Sequence, residues 1–510
     1  MSFLLNTVNK VNETFARAGS FNSEFGMMTG MTPIDILSCN FERSFLYDET
    51  ILNGGLFNFP YTELGLSASG KTTLWLQLVG AAIDNWCKLY GPVSEMIFYN
   101  VEGHTTTKRI QDVTGWDHWQ LQERCRIISK PWSIIEIYND LAVLARNKIA
   151  HRKELEINTG IKNTVTGEII HVLPTTYALI DSIAAVRSKT DLEFDKEGNL
   201  KSTDTIAGTS NMDAMQIAKD NTMFINEVKK LCEEAKICLV MVNHLVEIPV
   251  LDRYNPPKPQ LPGMKYNQKV KGGTELLYQS FCVGQLSVKD RLFNEKTKIF
   301  GDSVHGIIAF MDWLKNKNGP EGVRYPMVFD SATGYKPELT DFEILYEEGQ
   351  WGISGNPMGM YLDILPEIKF TRKTLMDLCH KDPILARALS FTTRLYLISK
   401  VLLHQLPPDI KALGALDFET RIFLILHYSM DYPGYENHGW VVDPEYFNIH
   451  DMIADGFERV SRYTNTLGEE DITLLTDFDE PYIDNKVEIS MFNSEEIKVG
   501  ETEYLCASNW

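Results

Sequence analysis

Gly65-Leu66-Ser67-Ala68-Ser69-Gly70-Lys71-Thr72 is the stretch on which the reading of this chain turns. It fits in full the spacing of a phosphate-cradling loop, glycine, four residues, Gly-Lys-Ser/Thr. The glycines let the backbone turn tightly enough for successive N–H groups to point at phosphate oxygens. Lys71 brings a point charge for the β- and γ-phosphates, and Thr72 a hydroxyl for Mg²⁺. Thr73-Leu74-Trp75-Leu76-Gln77-Leu78 follows with apolar spacing that predicts a helix, whose N-terminal dipole favours bound anions. The competing reading is a Gly/Ser turn that happens to precede a helix; the complete spacing and the helix weigh against it.

Working outward, a loop of this kind needs a second carboxylate. Tyr177-Ala178-Leu179-Ile180-Asp181-Ser182 predicts an apolar strand ending in Asp181, the place from which a carboxylate holds Mg²⁺ through water beside Thr72. Apolar strands ending in Asp are common, so this signal gains its weight from the loop. Ile97-Phe98-Tyr99-Asn100-Val101-Glu102 predicts a second strand (Met96–Val101), with Glu102 just past its end. At the C-terminal edge of a parallel sheet a carboxylate lies in the ligand crevice, where it can orient and deprotonate water. Taken alone, a solvated strand-end glutamate is the simpler reading. A third strand, Ile237–Asn243, leads into Asn243-His244, two polar side chains placed to sense a γ-phosphate. A lone histidine is more often a satisfied core or surface residue; the strand-end position favours the sensor.

Val246–Lys271 carries Arg253, Lys258, Lys265, Lys269 and Lys271 against Glu247 and Asp252, a local charge of +3, with Tyr254, Tyr266 and five prolines. A loop this long inside a compact domain is usually functional. Cations beside aromatic rings suit a single nucleic-acid strand, by phosphate neutralisation and base stacking; a solvated insertion is the alternative. The loop Arg187–Asn211, with four basic and five acidic residues, is less telling.

The rest of the chain bounds these readings. Its 510 residues, 44% hydrophobic and 23% charged, predict a folded protein of two to four domains rather than a disordered or collagenous one. The net charge is −20, so nucleic-acid binding has to rest on a local patch. Half of that excess lies in Gly468–Trp510, where 12 acidic residues face two lysines. Eight cysteines without a CxxC argue against a disulfide framework or structural zinc. With no signal peptide and no apolar run of membrane-spanning length, a soluble, intracellular protein with no membrane partner is expected.

The landmarks come in one order: phosphate loop, strand-end Glu, strand-end Asp, strand-end Asn-His, basic loop, Gly272-Gly273. That order resembles the RecA family of recombinases. The Asn-His pair and Gly272-Gly273-Thr274 are most similar to the phage, UvsX-type branch. Glu102-Gly103 with Arg109 seven residues after the Glu is more similar to the archaeal and eukaryotic recombinases, and Lys315-Asn316-Lys317 to a motif of bacterial RecA. The resemblance covers about residues 32–350.

It implies an α/β fold: a RecA-like P-loop NTPase core with a mainly parallel central sheet, a short N-terminal arm and a smaller helical C-terminal domain. The expected divisions are 1–31 (oligomerisation arm), 32–356 (core), 357–430 (C-terminal domain, with helices at Phe370–His380 and Ile384–Gln405) and 431–510 (extension with acidic tail). It implies ATP and Mg²⁺ as cofactors. Gly65, Ser67, Ala68, Ser69, Gly70, Lys71, Thr72 and Thr73 would cradle the phosphates, and Arg109 would stack on adenine. Thr72 and Asp181 would stand at the metal. Glu102 would be the general base and His244 the γ-phosphate sensor. Lys315 and Lys317 would reach ATP bound by a neighbouring subunit.

Arg253, Lys258, Lys265, Lys269, Lys271, Gly272 and Gly273 would face DNA, with 187–211 as the other DNA-facing loop. The partners implied are single-stranded DNA, homologous duplex, further copies in a helical filament, and single-strand-binding and loading proteins. The location implied is the cytoplasm, that of an infected bacterial host if a phage encodes the chain. Phe15-Ala16-Arg17-Ala18 fits an FxxA pattern by which relatives join subunits, and the acidic tail would compete with DNA for basic surfaces. Two other readings stay open: a hexameric replicative helicase, against which stands the short stretch of roughly 60 residues before the loop, and a DNA-independent scaffold ATPase.

Overall fold

Tyr177–Asp181 and Ile237–Asn243 show no polar–apolar alternation, the pattern of strands covered on both faces. In the computed structural model both lie in the middle of a ten-stranded sheet. The structure describes residues 26–27, 29–37, 40–44, 49–53, 55–129, 132–162, 169–186, 211–249, 257–292, 299–301, 304–317, 319–363, 365–381, 383–397, 401, 439–442, 460–463 and 505–506. Among them two compact units can be drawn, one from Asn58–Glu156 with Leu173–Lys336, the other from the residues before 58, 157–172 and those after 336.

The first unit holds the large sheet. Its strands are β1 (Pro60–Gly65), β2 (Glu95–Asn100), β3 (Cys125–Ile128), β4 (Thr176–Asp181), β5 (Ile237–Glu247), β6 (Gln268–Val270), β7 (Cys282–Arg291), β8 (Gly306–Asn316), β9 (Arg324–Asp330) and β10 (Gly334–Tyr335). Across the sheet they run β3-β2-β4-β5-β1-β7-β8-β9-β10, with β6 paired to the end of β5. From β3 to β7 every neighbouring pair is parallel. The strands β8, β9 and β10 then turn back antiparallel. The chain is an α/β protein with a large, mainly parallel central sheet.

Helices cover both faces, and the two-residue period of β4 shows how. Ala178 and Ile180 pack with Ile137 and Leu141 of α3 (Ile134–Ala150) and with Ile225 and Val228 of α4 (Asn211–Ala235). Tyr177, on the opposite face, accepts a hydrogen bond from Trp86 Nε1 of α1 (Lys71–Tyr90) at 3.2 Å. A shorter helix, α2 (Thr107–Thr114), starts after the turn that ends β2, with the Thr106 hydroxyl accepting from Arg109 N at 3.2 Å.

Register brings the landmark residues to one edge. Gly65 pairs with His244, Val242 with Asp181, and Asp181 with Asn100. The C-terminal ends of β1, β4 and β2 therefore stand in one row with Val242–His244 of β5, where an open α/β sheet forms its ligand crevice.

Three expectations need correction. The third strand does not end at Asn243: β5 continues to Glu247 and forms a hairpin with β6, so Val246–Lys271 is not all loop. The reason is a small apolar cluster beneath it, in which Leu245, Leu261, Met264 and Val270 pack against Leu64, Leu277, Val283 and Leu314. The expected boundary at 356/357 cuts through a three-stranded antiparallel meander, Ile353–Asn356, Gly359–Leu362 and Leu365–Phe370, which belongs to the second unit, whose last segment begins at Pro337. The helix expected from Phe370 begins at Leu375, because Leu365–Phe370 is a strand of that meander. The next runs from Pro383 to Tyr396, with proline at its first turn, where no N–H is needed.

The second unit also contains the helices Thr32–Leu37 and Pro337–Glu347. Its interior is polar in places: the Thr32 hydroxyl donates to Asp341 Oδ2 at 3.4 Å, and Arg372 pairs with the buried Glu343. The N-terminal arm before residue 26, the loop residues 187–210, Arg253 and most of 431–510 lie outside the described residues.

Candidate functional site

The phosphate loop joins β1 to α1. Gly70 adopts φ 93° at the cap of α1 and Ala68 φ 59°, and this left-handed pair turns the chain sharply back into the helix. A Cβ on Gly65 would sit 2.6 Å from Ser69 Oγ and 2.8 Å from Leu286 O, so only glycine fits there. Ser67 and Ala68 are exposed at the tip while Ser69 is buried, its hydroxyl donating to Leu66 O at 2.9 Å. Lys71 Nζ donates to Leu66 O at 2.7 Å and to Gly65 O at 3.1 Å, with Ser69 Oγ at 3.4 Å. Burial lowers the Lys71 ammonium from its ordinary value, against the pull of Glu63, Asp181 and Glu102.

The next two strand ends bring in the carboxylates. Thr72 Oγ1 donates to Asp181 Oδ2 at 2.9 Å. Burial raises the Asp181 carboxyl, which the Thr72 hydrogen bond opposes and the charge of Glu102 reinforces. The Asp181–Ser182 peptide bond is cis.

Glu102 lies in the turn after β2, its N–H donating to Asp181 O at 3.2 Å. Its Oε1 accepts from the Ser182 hydroxyl and lies 2.9 Å from His244 Nε2. Burial alone would raise the Glu102 carboxyl. The hydrogen bonds from Ser182 and His244, with the imidazoles of His244 and His104, hold it below the ordinary value instead.

An open cleft of about 580 Å³ is lined by Ser67, Glu102, Ala185, His244, Val246 and Lys271, among others. It links the phosphate loop to the hairpin beyond it. Asn243, fully buried, spans the same distance inside the protein: its Nδ2 donates to Lys271 O at 3.0 Å, and Lys271 N reaches His244 O at 3.4 Å. Gly272 and Gly273 follow at φ 81° and 102°, and Asn221 Nδ2 of α4 donates to Gly272 O at 2.9 Å. A Cβ at Gly272 would lie 2.6 Å from that same nitrogen. Lys258, Lys265, Lys269 and Lys271 are all exposed, as is Tyr266.

Arg109 stands on the other side of the loop. Its guanidinium donates to Ser331 O and Ala332 O at 2.8 Å each and to Thr73 Oγ1 at 3.1 Å. It thus ties α1 to the β9–β10 turn, with its planar group already engaged at the edge.

Lys315 and Lys317 are elsewhere. Asn316 pairs with Cys282 at the start of β7, so both lysines lie at the N-terminal edge of the parallel strands, opposite the phosphate loop. Lys315 Nζ donates to Tyr278 O at 2.6 Å, Ser280 O at 2.7 Å and Leu277 O at 3.3 Å, and Lys317 is exposed. Neither reaches the phosphate loop of its own chain.

Two residues escaped the sequence reading. Ser182, the residue just past β4, touches Glu102, and its only sequence signal is that it follows Asp181. Glu63 is a lone acid in the apolar run of β1, fully buried, accepting from Trp75 Nε1 at 3.2 Å. Burial pushes its carboxyl up to about 8.

No family model matches the chain, and neither does any curated protein. Among the described residues no group of three or more His, Cys, Asp and Glu side chains is placed to hold a metal ion, and no helix is long and apolar enough to cross a membrane.

Proposed function

We propose that the chain is an ATP-hydrolysing recombinase of the RecA type, which polymerises on single-stranded DNA, pairs it with homologous duplex and exchanges strands. The observation that carries the reading is the double engagement of β5 at Asn243 and His244. His244 contacts the carboxylate of Glu102, while Asn243, its neighbour, holds the backbone of Lys271 in the basic segment. A change at the phosphate edge is thereby joined to the candidate DNA-facing surface through two adjacent residues.

The residues present fit Mg·ATP. The glycine-shaped cradle leaves backbone N–H groups for phosphates, and Lys71 rests on neutral acceptors that an anionic oxygen outcompetes. Thr72 and Asp181 offer the two protein oxygens that Mg²⁺ commonly takes, its remaining ligands being phosphate and water. Bound Mg·ATP would supply the scissile phosphoanhydride and a cation that offsets developing charge. Glu102, ionised and hydrogen-bonded, serves as the base that orients water and takes its proton. Exposed lysines on the hairpin would neutralise DNA phosphates, so binding would weaken steeply with salt and carry little sequence preference.

Electron microscopy of the full chain with single-stranded DNA and a slowly hydrolysed ATP analogue tests this. Continuous helical filaments are expected. Closed rings would replace the reading with a helicase, and bare DNA beside isolated particles would leave only an ATPase.

A further inference from the structure

Glu102 Oε1 receives the Ser182 hydroxyl and lies against His244 Nε2, whereas no hydrogen bond among the described residues reaches Oε2. The side chain lines the cleft and is about a quarter exposed. Ser182 itself is fully buried and directly follows β4, where it caps the short 3-10 helix Ile183–Ala185. A carboxylate in a turn has free rotation about its terminal torsion unless something holds one oxygen. Here a fully buried donor between β4 and the Ile183–Ala185 turn of helix holds it, and the backbone bond from Glu102 N to Asp181 O holds the turn.

We infer that Ser182 is a positioning residue for hydrolysis: by anchoring Oε1 it leaves Oε2 as the oxygen that meets the attacking water. This rests on Glu102 being the base. His244 contributes a second contact to the same oxygen, from a side chain that also has the cleft to face. Ser182, shut away from the cleft contents, makes no other side-chain hydrogen bond among the described residues and acts through Glu102.

The test is DNA-stimulated ATP hydrolysis by the full chain in four forms: native, Ser182→Ala, Glu102→Gln and the double variant. Ser182→Ala is expected to lower kcat about tenfold with KM for ATP within about twofold, since aim rather than binding is lost. In the Glu102→Gln background the same change should cost nothing more, because the carboxylate it orients is gone. Ser182→Thr, which keeps the hydroxyl, should recover much of kcat. An unchanged kcat for Ser182→Ala, or an equal further loss in the double variant, overturns the inference. Full hydrolysis by Glu102→Gln would overturn the base assignment instead, which separates the two failures. Should Ser182→Ala lose its cooperative thermal transition, the near-isosteric Ser182→Cys, a weaker donor, is read by the same criteria.

Discussion

Both edges of the central sheet hold lysine on three acceptors, in different surroundings. At the C-terminal edge Lys71 meets Gly65 O, Leu66 O and Ser69 Oγ. At the N-terminal edge Lys148 meets Pro174 O at 2.6 Å, Thr176 Oγ1 at 3.1 Å and Lys236 O at 3.3 Å. Lys315 there meets three carbonyls at the end of the Glu275–Gln279 helix. Counted by hydrogen bonds the three are alike. What differs is the surroundings: beside Lys71 lie an open cleft, an exposed loop tip and the Thr72–Asp181 pair. Lys148 is sealed beneath strand starts, where burial lowers its ammonium to about 7. A lysine on carbonyls is structural where nothing can displace the carbonyls, and available for an anion where something can.

Replacing Lys71 by Ala gives the largest expected effect. ATP hydrolysis should fall by about a hundredfold or more, with the melting curve little changed. A variant that merely melts earlier would erase the contrast. Glu102→Gln comes next: hydrolysis should fall by about a hundredfold while binding to single-stranded DNA, read by fluorescence anisotropy with a bound ATP analogue, persists.

Lys148→Met should act the other way. It strands the Pro174 carbonyl, whereas the Lys236 carbonyl keeps the Thr176 N–H at 3.1 Å, and should lower stability by about 1–3 kcal/mol in denaturant titrations, with hydrolysis per folded molecule unchanged. A large loss of turnover without a loss of stability would make the N-terminal edge a second functional one.

Glu63 gives the finest test. Its folded value, pushed up to about 8 by burial, lies above the unfolded value near 4.5. The folded state thus holds a proton that the unfolded state loses first. This contribution is fully present below about pH 4.5 and is lost as pH rises towards about 8. Glu63→Gln should flatten that decline in thermal melts taken between pH 5 and pH 9. Parallel pH curves for variant and native protein would show that the acid is ionised in the fold.

The phosphate loop was legible because its chemistry is local. Gly65, Gly70, Lys71 and Thr72 lie within eight residues of chain, and the turn they make is the candidate cradle. The strands were legible for a similar reason, since Tyr177–Asp181 and Ile237–Asn243 are covered on both faces and carry that pattern in their composition. The end of β5 was not: whether Leu245 continues a strand depends on Leu261, Met264 and Val270 packing under it, residues 16 to 25 positions away. The meander Ile353–Phe370 was missed for the same reason, as its strands are specified by pairing with one another.

Residue order alone was enough to find a loop with the spacing of a phosphate cradle, the acidic and imidazole groups at strand ends, and one basic segment in an acidic protein. Which of them meet is set by the fold. Thr72 and Asp181 are 109 residues apart, Glu102 and His244 142, and both pairs are made by the order in which parallel strands lie side by side. That order follows from burying both faces of the sheet beneath helices, a long-range balance of packing that no short stretch of residues encodes.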